Sequence, residues 1–335
     1  MKDLILYTKE YLLSLTKLRS AEIKLGERVQ TILNIESLAL TSCKFVLIGL
    51  PEDVGVKANL GKTGSRTAWF AALNAILNIQ STSKFRGDEL AILGHIDFEK
   101  ELKEAGKLNP EKETDLKKLR DLVNKIDEKV APVIGMIFAS GKIPIIIGGG
   151  HNNCYPILKA YSGLFNKPVN VINLDAHADF RPLEGRHSGN GFNYAFQNGY
   201  MDKYAVIGLH ENYNSQLVVN KLKSKPEHFQ VTFYEDFISE STSHSRAFQE
   251  ALNFTNGLCG LEIDLDCTQC ILSSAVSSCG FSLLQIRDMI AQTKVQQLFY
   301  LHISEGAAKI DDGRETDQTG KIIAYLISDF IKAQM

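Results

Sequence analysis

The chain has 335 residues, with 37 Lys+Arg against 39 Asp+Glu and a formal net charge of -2, long enough for one or two domains with a buried core. A hydrophobic content of 44% and a charged content of 23% exclude wholesale disorder, and the balanced charge excludes binding to nucleic acid through a bulk basic field. No apolar run reaches the ~18 residues of a membrane span, and Lys9-Glu10 arrives before any signal-like apolar core forms.

Residues 1–40 read as an N-terminal helical extension packed on the main body: Leu4, Ile5, Tyr11, Leu12, Leu13 and Leu15 fall near one face, and a second stretch runs from Ile23 to Leu40. Phe45 to Leu50, closed by Pro51, suits a buried strand. Further strand-like runs follow at Ala91–Gly94, Ile143–Ile147, Val169–Leu174, Ala205–Gly208, Gln230–Tyr234, Gly257–Ile263 and Leu298–Ile303. Helical patterns lie between most of them, the longest from Glu113 to Ser140 and the last from Thr319 to Ala333. This alternation implies one α/β domain with a mostly parallel sheet of about eight strands, covered on both faces. Lys221–Pro226 and residues 305–318 are the exposed-loop candidates. The six cysteines are too few for a disulfide framework, so reduced thiols in a cytoplasm are expected. Cys267-Thr-Gln-Cys270 has zinc or redox spacing but no second such pair, which favours two buried thiols.

Ligands of open α/β sheets sit at the carboxyl ends of strands, and three of these runs end in metal-ligating residues. Ile143–Ile147 leads into Gly148-Gly149-Gly150-His151, Val169–Leu174 into Asp175-Ala-His177-Ala-Asp179, and the run ending at Ile263 into Asp264-Leu-Asp266. In extended chain, positions i, i+2 and i+4 point the same way, so the residues within each motif are expected to converge. Four crowded carboxylates repel unless protonated or neutralised by cations. Two divalent ions balance four negative charges, and oxygen-rich ligands with two imidazoles suit manganese. Such a pair can activate water for hydrolysis.

The order GGGH, DAHAD, DLD resembles the ligand pattern of the arginase–agmatinase–formimidoylglutamase family of binuclear manganese ureohydrolases, over roughly residues 44–333. The resemblance implies a three-layer α/β/α fold, two Mn2+ per chain, a small-molecule amidine or guanidine substrate, and a homo-oligomer. It also implies that His151, Asp175, Asp179 and Asp264 hold one ion and His177, Asp175, Asp264 and Asp266 the other, with Asp175 and Asp264 bridging and a metal-bridging hydroxide as nucleophile. Asp179 then holds the hydroxide, and Glu305, in His302-Ile-Ser-Glu305-Gly, meets the amidinium.

Within the family, Arg181 and Ser188-Gly-Asn190-Gly-Phe192 resemble the formimidoylglutamase branch, as does Pro51-Glu-Asp53-Val-Gly55. The implied reaction is hydrolysis of N-formimidoyl-L-glutamate to glutamate and formamide, with Arg181 pairing a substrate carboxylate and Ser188 and Asn190 adding hydrogen bonds. His187 has two alignments. One gives it the His-Gly position of the arginase branch; the other gives that place to Ser188. His210 and His302 are read as structural histidines near the sheet ends. Asn152-Asn153 after His151, Cys267 after Asp266 and Gly306-Ala-Ala after Glu305 depart from the family's usual flanks. A guanidino hydrolase releasing urea and a non-catalytic metal-binding member are the alternatives.

Overall fold

The computed structural model describes residues 3–335. Nine strands form one sheet: β1 (Leu4–Leu6), β2 (Phe45–Gly49), β3 (Leu90–Ile96), β4 (Ile143–Ile147), β5 (Val169–Leu174), β6 (Met201–Leu209), β7 (Phe229–Phe233), β8 (Cys259–Asp264) and β9 (Leu301–Ser304). Their spatial order is β1-β3-β2-β4-β9-β8-β5-β6-β7. Every pairing is parallel except that of β1 with β3.

The eight apolar runs are the eight parallel strands, and strands buried on both faces read as continuous apolar sequence for that reason. In β2, Phe45 and Leu47 join one core while Val46 and Ile48 join the other. The first core is closed by the helices Ala68–Leu77, His244–Phe254, Leu283–Gln292 and Gln318–Gln334. The second lies under Glu113–Ala139 and Cys154–Phe165. The long helix buries Leu119, Leu122, Val123, Ile126, Val130, Val133, Ile134 and Ile137, a stripe at helical spacing that needs a core on one side only. The result is a three-layer α/β/α arrangement.

The N-terminal forty residues correct the expectation. Leu4–Leu6 is an antiparallel edge strand, with Leu6 opposite Gly94. Helix is confined to Lys9–Ser14, the single turn Leu25–Arg28 and a 3-10 stretch, Ile35–Leu40. Met1 and Lys2 of the expected extension lie outside the described residues. The expected loop at Lys221–Pro226 is also corrected, because Gln216–Lys223 is a helix capped by the Ser215 hydroxyl. No helix among the described residues is long and apolar enough to cross a membrane.

Candidate metal centre

Four neighbouring strands, β4, β9, β8 and β5, end side by side, and their carboxyl ends carry His151, Glu305, Asp264 and Asp175. The turn after β4 needs its glycines. Gly148 and Gly149 have φ 93° and 77°, and a Cβ on Gly149 would lie 2.3 Å from Asn153 Nδ2. Only a residue without a side chain takes that path. The turn is held by Glu52, a fully buried carboxylate. Its Oε1 accepts from the Gly150 amide (3.2 Å) and from the side-chain amides of Asn152 (3.1 Å) and Asn153 (2.6 Å), and its Oε2 from Val54 N (2.8 Å). Asn152-Asn153, the departure from the family's flank, are thus the donors that satisfy Glu52.

His151 Nδ1 faces three carboxylate oxygens, at 2.9 Å from Asp179, 3.1 Å from Asp264 and 3.2 Å from Asp175. It makes a directed hydrogen bond with none of them, so the four groups converge on a point rather than pairing off. Asp175 turns one oxygen to His151 and the other toward His177, whose Nδ1 lies 3.0 Å from Asp266. Two ligand groups share Asp175, namely His151 with Asp175, Asp179 and Asp264, and Asp175 with His177 and Asp266; a third, His151 with Glu262 and His302, is fully buried. Asp264 stands in the first group alone; its second oxygen accepts the Asp266 amide at 2.9 Å. Asp266 Oδ1 is buried without a partner among the described residues. Carboxylate oxygens with one imidazole in each of the two groups sharing Asp175 fit hard, oxygen-preferring divalent ions such as manganese.

The expected pleated convergence is not how this happens. β5 stops at Leu174, so His177 and Asp179 stand on a loop, and Asp266 lies on a 3-10 turn after β8. Asp179 and Glu305 have φ 45° and 59°, the sparsely populated left-handed region where non-glycine residues are strained and cluster at functional sites.

The electrostatics reflect the crowding. Burial, then the neighbouring carboxylates, pushes Asp175 and Asp264 each up to about 7, and Glu305 is pushed well up for the same reasons. Burial would lower His151 and His177, but the surrounding carboxylates outweigh it and hold both well above the usual imidazole range. Behind His151, Glu262 lies 3.5 Å from Nε2 and accepts from Tyr300 Oη (2.8 Å) while pairing with His302 Nδ1 (2.5 Å). A carboxylate behind a ligating imidazole fixes its tautomer and ring plane. His302, read as a structural histidine, thus stands directly behind the site through Glu262.

A cavity of about 540 Å3 opens over these groups, with His177, Asp179, Asp264, Asp266 and Glu305 among its walls. Arg181 and Ser188 line its mouth. Arg181 is half-exposed and donates to Asn59 Oδ1 (2.7 Å) while pairing with Glu184 (3.0 Å). His187 is buried outside the lining, between Glu184 and the Gly189 amide, and burial followed by the charge of Arg181 lowers it to about 4. Asn190 is also buried outside the lining. Its amide is spent on the carbonyls of Pro182 and Gly185, the His187 N–H and Arg186. Of His187 and Ser188, Ser188 lines the cavity and His187 does not. Of the CxxC pair, Cys267 is buried but Cys270 is exposed, which corrects the expectation of two buried thiols. No cysteine joins a metal-holding group among the described residues.

Sequence reasoning missed Glu262, Asn59 and Arg186. An acidic residue inside the apolar run Leu258–Ile263 was the available signal for Glu262. Arg186, rather than Arg181, is the buried arginine, held to Asp127 at 2.9 Å and donating to Asn152 O at 2.8 Å.

Residues 43–331 match the arginase family. A formimidoylglutamase of Streptococcus pyogenes is 26% identical over 255 residues, covering 71% of this chain and 70% of its own length. The crystal structure of Trypanosoma cruzi formiminoglutamase with manganese superposes with a TM-score of 0.73 at 18% identity, over 93% of this chain and 98% of that one. Formimidoylglutamase from Bacillus subtilis gives a TM-score of 0.73 at 17% identity, over 95% and 93%.

Proposed function

This chain belongs to the arginase family of hydrolases acting on amidine C–N bonds, and within that family we propose that it is a manganese-dependent formimidoylglutamase, converting N-formimidoyl-L-glutamate to L-glutamate and formamide. The observation that carries the reading is the pair of ligand groups sharing Asp175 beneath a cavity with a guanidinium at its mouth. The formimidoylglutamase relatives support the branch.

Manganese held by His151, Asp175, Asp179 and Asp264 and by His177, Asp175 and Asp266 would supply a water acidified for attack and positive charge for the developing tetrahedral centre. The chain's own residues do the rest. Glu305 accepts the His151 amide through Oε1 (2.9 Å), and its other oxygen is the acceptor for the planar amidinium. Asp179, on the cavity wall, orients the attacking water. Arg181 pairs with a substrate carboxylate, and Ser188 hydrogen-bonds the amino-acid end. All six cysteines are unpaired, which supports a reducing cytoplasm.

The test is hydrolysis of N-formimidoyl-L-glutamate, arginine and agmatine side by side, on manganese-loaded and chelated protein. Manganese-dependent formamide release without urea is expected. Urea release would move the protein to another branch, and silence on all three with two ions bound would overturn the catalytic assignment.

A further inference from the structure

The two candidate ligand imidazoles are held in different ways. His151 is fully buried, with Glu262 behind its Nε2 and Phe192 edge-on to its ring at a centroid distance of 5.0 Å. The His177 side chain is 30% exposed, and among the described residues no carboxylate or carbonyl partners its Nε2. A ligating histidine without that outer hydrogen bond lacks the usual device that fixes its ring plane.

What His177 has instead is a stack of rings. Tyr213 lies against it with centroids 5.9 Å apart and planes at 24°. His210 in turn stacks with Tyr213, 5.2 Å away at 16°. Tyr234 backs His210 at 4.8 Å and 13°, and Tyr234 is anchored by its hydroxyl to Gly280 O (2.7 Å) and by an edge contact with Phe281. Offset stacks at these separations are attractive. The column is also tied to the ligand loop. Asn214, next to Tyr213, donates to Ala176 O (2.9 Å) and accepts from Ala178 N (2.9 Å), on either side of His177.

We propose that Tyr213 is a positioning residue, whose ring, backed by His210 and Tyr234, holds the His177 imidazole in the plane that aims Nδ1 at Asp175 and Asp266 and so sets the affinity of the second metal position. The inference rests on the two-ion reading above. Tyr213 is exposed on its outer face and stands on a short 3-10 turn, so its replacement leaves the core intact.

The experiment is calorimetric titration of manganese into chelated, full-length protein, with thermal unfolding of each variant recorded alongside. Wild type is expected to bind two ions. Tyr213→Ala should weaken one of the two by about tenfold or more, the scale of outer-shell losses, and leave the other unchanged. Tyr213→Phe should restore both, because the ring and not the hydroxyl is what stacks. His210→Leu should weaken the same ion by a smaller factor. Unchanged binding in Tyr213→Ala, equal weakening of both ions, or a Tyr213→Phe variant as impaired as Tyr213→Ala would overturn the inference alone. A wild type that binds fewer than two ions would overturn the two-ion reading, and this inference with it.

Discussion

Two arginines five positions apart illustrate how little a residue type says without its surroundings. Arg181 sits at the cavity mouth with its guanidinium half in solvent. Arg186 is buried, paired with Asp127 of the long helix and sandwiched against Tyr155 and Tyr194, 4.5 and 5.1 Å from their ring centres. Removing one partner of a buried ion pair strands the other charge in a low-dielectric interior, at a cost of about 3–5 kcal/mol. Arg186→Met should lose that much in urea denaturation, whereas Arg181→Met should stay within about 0.5 kcal/mol while raising KM for a dicarboxylate substrate. Comparable losses in the two variants would contradict this division. The candidate metal ligands were legible in the sequence because metal chemistry requires particular residue types at short spacings. Arg186, Asn59 and Glu52 were not, because each acts through partners brought close only by the fold: Asp127, Ser188 and Asn153.

The strand β1 is the element where pattern and structure part. Three residues carry no period of their own, and Leu4-Ile5-Leu6 next to the helix Lys9–Ser14 suits a helix face equally well. Pairing with β3 decides, and it depends on Gly94, whose φ of 131° brings the edge of β3 against Ile5. A Cβ there would lie 1.9 Å from Ile5 O. Gly94→Ala should therefore cost about 2 kcal/mol or more and release amide protection of Leu4–Leu6 in hydrogen exchange, with β4, β5 and β8 still protected. Retained protection at Leu4–Leu6 would show that the edge tolerates the side chain. The central strands were legible because burial on both faces leaves a largely apolar run, and β7, at the other edge, because Phe229, Val231 and Phe233 alternate with polar residues, whereas three residues carry no such pattern.

For the molecule as a whole, the crowded carboxylates make stability depend on both pH and metal. Without metal, Asp175 and Asp264 have folded pKa values of about 7, above their unfolded value of roughly 3.9. His151 and His177 are also raised above theirs. The folded state then holds more protons than the unfolded chain, and stability falls as pH rises through these values. Glu262, which burial would raise but His302 and His151 lower to about 2, acts in the opposite sense and only in a more acidic window. Chelated protein should lose Tm between pH 6 and pH 8 in calorimetric scans. Added manganese should raise Tm more at pH 8 than at pH 6, because its binding releases those protons. A chelated protein that gains stability over the same interval would contradict the account.

The strand order carries a consequence for the timing of assembly. β1, β3, β2 and β4 form one half of the sheet and β8, β5, β6 and β7 the other, and β9, the latest strand in the chain, is the only one between them. His151 belongs to the first half, while Asp175, His177, Asp179, Asp264 and Asp266 belong to the second. During synthesis, the two halves can each begin to fold on the ribosome, but the sheet is not continuous until Leu301–Ser304 emerges. A nascent chain shorter than this holds Asp175, His177 and Asp266 within one half, while His151 stands on the other. Completion of the four-residue group around His151 is thus a late event, coming when the same insertion that makes the sheet continuous also delivers Glu305 to the cavity.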